Sequence, residues 1–235
     1  RAFVVTGRCQ GQLQDYCSCL ASFGGTAGCP ICGLVHVMDQ QTKKQTNIAN
    51  LLDQGVSLLT DKGYHGSGLK EILAAVKIPK GSFYNYFDSK EVFAVEVIQH
   101  YIGPFIRQLA GHLQNPDLDA LTAIKQYFTE LITDLEVNGF KGGCLLGNLM
   151  GEVGDSNAAI RQALQTAVNQ YRDLLQVGLS RAQQEGTVRT DKSAQEMADL
   201  LVNTWQGVLL RMKIEQSSTP LKQCCENLLD EYFRV

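Results

Sequence analysis

The chain has no excess of basic charge: 21 Lys and Arg stand against 24 Asp and Glu, a net charge of -3 over 235 residues. Between residues 38 and 100 seven lysines meet seven acidic residues, and arginine is absent. So balanced a stretch cannot hold a polyanion by bulk charge, and any attraction to phosphate must come from local clustering, for which Lys70, Lys77, Lys80 and Lys90 are the candidates. Long apolar runs are also missing. The uncharged stretch from Cys17 to Met38 comes nearest, but glycines, a proline and hydroxyl side chains interrupt it, which excludes a spanning helix and any membrane partner. With an apolar run of only Ala2 to Val5, the N-terminus does not read as a secretory signal, and the expected location is cytoplasmic. After Met38 there is no metal-ligand spacing, phosphate loop or nucleophile elbow, and His65, His100 and His112 stand alone. No catalytic residue, metal or cofactor is therefore expected, and the chain is not read as an enzyme.

Cysteine is unevenly distributed. Five of the eight, Cys9, Cys17, Cys19, Cys29 and Cys32, precede Met38 in a Gly-rich segment without helical or strand period. Two readings stand for them. The pairs Cys17/Cys19 and Cys29/Cys32, with His36, could ligate zinc, although the first pair has only one intervening residue. Alternatively residues 1–37 are a non-native or disordered extension, upstream sequence translated in frame, and Met38 is the start. The second reading is the expectation, and 1–37 is set aside from the fold.

What is present is most informative between Ile78 and Glu91. Pro79 suits a first helical position, and Lys80, Ser82, Tyr84, Asn85 and Tyr86 place hydrogen-bonding groups along barely two turns. Phe83 and Phe87, four apart, anchor the apolar side. Asp88 followed by Glu91 is an N-cap pattern for the next helix. Upstream, Ile48, Leu51, Leu52, Val56, Leu58 and Leu59 give helical spacing from Thr42 to a stop at Lys62-Gly63, a helix of about five turns. Ser67 is the expected N-cap of a short helix carrying Leu69, Ile72, Leu73 and Val76. Helix, turn at Val76-Lys77-Ile78, reading helix is the helix-turn-helix order, in which the second member enters the major groove of double-stranded DNA.

The segment Pro79-Lys-Gly-Ser-Phe-Tyr-Asn-Tyr-Phe-Asp-Ser-Lys-Glu91 resembles the tetracycline-repressor (TetR) family of bacterial regulators almost residue for residue, over a signature covering roughly residues 45 to 95. One departure is Lys77, where most members have glycine in the turn. The resemblance implies that Ser67, Lys80, Tyr84, Tyr86 and Lys90 face DNA. Tyrosine hydroxyls and a lysine at a helix start suit phosphates, while Lys80, Gly81 and Asn85 suit base edges; Ser82 completes the candidate surface. It also implies a palindromic operator and a homodimer, since one short reading helix offers too few contacts.

Beyond Ser89 the pattern predicts an all-α bundle, with helices over Ser89–His112, Asp117–Val137, Cys144–Val153, Asn157–Glu185, Ser193–Glu215 and Pro220–Phe233, each bounded by Gly, Pro, Asn or Asp. The expected organisation is a helix-turn-helix domain over 38–88 and a regulatory and dimerisation domain over 89–235. The last two helices carry Trp205, Leu209, Leu221 and Leu228, which either pack against a two-fold mate, as in the family, or line the monomer's own core; the dimer interface is the expectation. Cys144 follows Gly142-Gly143 and opens a helix, where the dipole favours a thiolate. The surrounding residues, with Lys213-Ile214, resemble an oxidant- and electrophile-sensing subgroup of the family. That likeness implies that Cys144 and Lys213 sense the effector. The alternatives are a small-molecule sensor with an apolar pocket and an unreactive Cys144, or a Cys144 that merely packs.

Overall fold

The computed structural model describes residues 30–76 and 79–235, without the side chains of residues 30–43, Ala75 and Lys80. The expectations for residues 1–29 and for the turn at Lys77 lie outside it. The chain divides into two units at Ala49/Asn50, and the site residues all lie in the second, Asn50–Val235.

Among the described residues the regular elements are all helices, joined by turns and loops, apart from one isolated antiparallel bridge between Val188 and Arg234. Helix α1 spans Pro30–Gly66. It begins well before the expected Thr42, with a proline at its first position, where the missing N–H costs nothing. At Gly63 the backbone turns to φ 71, so the glycine expected to end the helix does break it. Helix α2 is Leu69–Ala75 and α3 is Lys80–Phe83. Three corrections of one residue each concern the caps. Gly68, not Ser67, caps α2; Pro79 caps α3 instead of occupying its first position; Ser89, not Asp88, caps α4 and accepts the Val92 N–H at 3.1 Å.

The bundle comprises α4 (Lys90–Leu113), α5 (Ala120–Val137), α6 (Leu145–Val153), α7 (Ala158–Gln184), α8 (Ala194–Glu215) and α9 (Thr219–Cys225), the last continuing as a π-helical stretch over Glu226–Tyr232. Their starts follow from side-chain chemistry. Asp119, Asn157 and Ser193 each accept a backbone N–H three residues on, and Ser193 with Glu196 forms a full capping box. The core runs through α4, α5, α7, α8 and α9, with Tyr127, Phe128, Leu175, Leu201, Trp205 and Leu221 in one cluster. The Trp205 ring meets Phe128 edge-on at 4.7 Å.

Trp205, Leu209 and Leu221 are thus buried in the monomer's own core, at 5%, 6% and 0% exposure, and Leu228 packs against it. The expectation that Trp205, Leu209 and Leu221 face a two-fold mate is corrected by their burial in the monomer. A helix has more than one face, and on α8 the outward one carries Leu200, Asn203, Gly207, Leu210 and Ile214, alternately three and four residues apart and all exposed.

Candidate functional site

Two places hold the sequence-predicted residues, and helix α6 runs between them. The first is the reading head. After α3, the Asn85 N–H donates to the Ser82 carbonyl (3.2 Å) and the Tyr86 N–H to Phe83 (2.9 Å), so one α-turn is followed by a tighter one. Phe83 and Phe87 are buried and meet Phe93 of α4 edge-on at 5.6 and 5.0 Å, which fixes the segment on the start of α4. The opposite side stays outward. Gly81, Tyr84 and Asn85 are exposed, Ser82 and Tyr86 half-buried, and nothing approaches within 4 Å of where a Cβ at Gly81 would stand. The Lys80 side chain lies outside the described residues.

Two expected contacts are placed differently. Ser67 is buried, and its hydroxyl donates to the carbonyls of Leu58 (3.2 Å) and Gly63, satisfying groups left open where α1 breaks. It does not face outward. The Lys90 ammonium donates to the Tyr64 carbonyl and sits 4.2 Å over that residue's ring. Burial lowers its pKa, against the opposing pull of Glu152. Lys90 therefore braces the end of α1 and is not an open phosphate-binding charge.

Glu152, in the last turn of α6, completes this joint. One carboxylate oxygen accepts the Tyr64 N–H and the other the His65 N–H, both at 2.7 Å. The bare backbone of Gly63 is what permits the approach, since a Cβ there would lie 2.3 Å from the carboxylate. Further up α6, the Asn148 amide donates to the Gly142 carbonyl (3.1 Å) and to the Thr60 carbonyl of α1 (3.4 Å).

The second place is a cavity of about 270 Å³ among α4, α5, α6, α7 and α8. Cys144, the N-cap of α6, lies in its wall with backbone at φ -95, ψ 120, as expected of a residue opening a helix. Gly142 and Gly143 before it have φ of +79 and +70, a conformation that side chains disfavour. Lys213 lies along this turn: its stem passes 2.8 Å from where a Gly143 Cβ would be, one residue from Cys144. A donor to the thiol that sequence reasoning missed is Gln206, whose amide reaches Sγ at 3.3 Å. Tyr101, Tyr127 and Tyr171 were missed too. Burial first, and the neighbouring Cys144 among lesser causes, raises the pKa of all three phenols, so they stay protonated at neutral pH. No local signal marks them, because they sit on three helices and converge only in the fold. Among the described residues no three His, Cys, Asp or Glu converge as a metal set, and no helix is long and apolar enough to cross a membrane.

Comparison with known proteins places both regions. Residues 51–97 match the family described as bacterial regulatory proteins, tetR family, and residues 120–228 match the tetracyclin repressor-like C-terminal domain. The chain is 33% identical over 174 residues to the HTH-type transcriptional repressor DhaR of Mycobacterium sp. (strain GP1), covering 74% of this chain and 86% of DhaR. It is 29% identical over 185 residues to the HTH-type transcriptional repressor NemR of Escherichia coli (strain K12), covering 79% and 92%. The crystal structure of reduced E. coli NemR superimposes with a TM-score of 0.74 at 27% identity, over 81% of this chain and 97% of that one.

Proposed function

The chain belongs to the TetR family of transcriptional regulators, DNA-binding proteins and not enzymes, and on that footing we propose that it is a repressor: a homodimer that holds a palindromic operator and releases it when an oxidant, an electrophile or a small-molecule effector acts at the Cys144 cavity. The observation that carries this reading is α6, which opens at Cys144 in the cavity wall and, through Glu152 in its last turn, holds the backbone at the end of α1, which Lys90 at the start of α4 also holds. A shift at one end of so short a helix reaches the other without an intermediary.

Lys80, Gly81, Ser82, Tyr84, Asn85 and Tyr86 are the proposed DNA surface, with tyrosine hydroxyls on phosphate and Asn85 and Gly81 toward base edges. The proposed two-fold contact is the outward stripe of α8, Leu200 to Ile214, supported by its heptad-like spacing and by Leu210 and Ile214 standing 53% and 85% exposed. At the sensor, hypochlorite would convert the Cys144 thiolate to a sulfenyl chloride with release of hydroxide. The Lys213 amine would then displace chloride to close an S–N bond, shedding a proton.

The test is operator binding by purified protein with and without hypochlorite or a quinone, repeated with Cys144→Ser. Loss of binding on oxidation in the parent protein alone supports the thiol reading, and an equal response in the variant overturns it. A second reading, reversible occupation by a ligand that leaves Cys144 unmodified, is favoured by the cavity itself, whose volume an oxidant alone would not need.

A further inference from the structure

We propose that the Cys144 cavity takes a small, uncharged aromatic ligand bearing one hydrogen-bond acceptor, held by the Tyr127 hydroxyl. The inference rests on the cavity being the effector site of the regulator proposed above, and it adds what the effector must look like.

One buried polar group in the lining lacks a partner. Tyr127 is fully buried, and its hydroxyl has no hydrogen-bond partner. It is near enough to the Tyr171 hydroxyl for each to perturb the other, but without bonding geometry. Two neighbouring groups are already engaged. The Gln206 amide is spent on Cys144 Sγ, and Tyr101 faces that thiol and the Leu145 N–H. A buried unpartnered hydroxyl keeps its desolvation cost uncompensated, and a ligand offering an acceptor removes that cost on entry.

Charge is excluded by the same walls. The lining contains no Lys, Arg or His, and Lys213, whose stem runs past Gly143, is not part of it, so a carboxylate inside would have no counter-ion in the lining. The one acidic lining residue, Asp134, is exposed, and the raised phenol pKa values leave no anion inside to attract a cation. Size and shape follow as well. About 270 Å³ is at or just below the ~300–1,000 Å³ of drug-sized pockets, and Phe105, Tyr127, Tyr171 and Trp205 present rings on which a flat ligand stacks.

Trp205 is the only tryptophan in the chain, so its fluorescence reports occupancy directly. The experiment titrates the full chain with three isosteric probes: acetophenone (neutral acceptor), ethylbenzene (no acceptor) and benzoate (charged). Acetophenone should give a saturable change and bind more tightly than both others. Tyr127→Phe should weaken acetophenone by about 2- to 12-fold, the net worth of one hydrogen bond, while leaving ethylbenzene unchanged and thereby proving the cavity intact. Benzoate binding as tightly as acetophenone overturns the proposal, as does an acetophenone affinity that Tyr127→Phe does not move. Operator binding on the same samples separates the two ideas. Protein that holds operator but not acetophenone defeats only the ligand assignment, and protein that holds acetophenone but no operator defeats the repressor reading.

Discussion

Replacing Glu152 with Gln removes one of the two acceptor oxygens that hold the Tyr64 and His65 N–H groups and sets an amide N–H₂ against a backbone N–H. It also removes the carboxylate that favours the Lys90 ammonium. Hydrogen bonds to a charged group are worth about 1.5–3 kcal/mol. The His65 bond is exposed and the Tyr64 bond partly buried, so water recovers part of the loss, and a net cost of about 2 kcal/mol is expected for the joint. For a domain of this size each kcal/mol moves the melting temperature by about 2–4 °C, giving a fall of about 4–8 °C. Thermal unfolding followed by circular dichroism reads the shift, and amide exchange at Tyr64 and His65 reads the joint itself. Gly63→Ala attacks the same contact from the other side, because a Cβ would lie 2.3 Å from the carboxylate at a φ of +71. The two substitutions should therefore be less than additive in combination. If α6 carries the effector signal, the ratio of operator affinities without and with effector should collapse toward one in Glu152→Gln. An unchanged melting temperature with unchanged exchange would show that the clasp contributes nothing, and an intact affinity ratio with the clasp broken would refute transmission through α6.

Other outcomes follow from the same geometry. Ser67→Ala should lower stability by about 1–2 kcal/mol, since buried carbonyls lose a donor, yet leave the salt dependence of operator binding unchanged; a salt slope smaller by about one would restore the phosphate-contact role. Burial holds the Cys224 and Cys225 thiols up to about 11 and about 12, so at pH 7.5 iodoacetamide should modify Cys144 well before either, as peptide mass mapping would show; prior labelling of Cys225 contradicts this. Leu210→Arg on the outward face of α8 should shift the sedimentation coefficient to that of a monomer and weaken operator binding together, whereas a monomer that still binds operator with parental affinity removes the reason for a dimer.

The helices were legible because their ends are written in local chemistry. Asp119, Asn157 and Ser193 are side chains that cap, and the pattern placed those starts within about two or three residues, the usual uncertainty of a boundary. Where two capping residues stand side by side, as at Asp88-Ser89, composition cannot say which takes the extended backbone. The neighbouring packing decided it, and Ser67 lost the cap to Gly68 because its hydroxyl serves the break at Gly63 instead. Cys144 was legible for the same local reason, two glycines and then a helix.

An apolar pocket was among the readings of the sequence, but the groups that line it, and the clasp, were not legible. Their working groups are far apart in sequence and meet through partners that carry no signature. Glu152 accepts from backbone N–H groups 88 and 87 residues away, and a backbone N–H looks alike at every position. Trp205 failed for a related reason. Amphipathicity says that a face is covered but not what covers it, and α8 has one stripe for the core and cavity and another facing outward. The two stripes sit on one helix, so a ligand pressing on Trp205 and Leu209 would displace the outward stripe at Gly207 and Leu210 as well. In a two-fold assembly along that outward stripe, a single occupied cavity would therefore strain the contact to the empty one. Operator release should then be cooperative in effector for the parent protein, with a Hill coefficient above one. It should lose that cooperativity in a Gly207→Ala variant that still dimerises but separates the two helices by a methyl group. A Hill coefficient of one in the parent protein would mean that the cavities act independently and that α6 alone carries the signal.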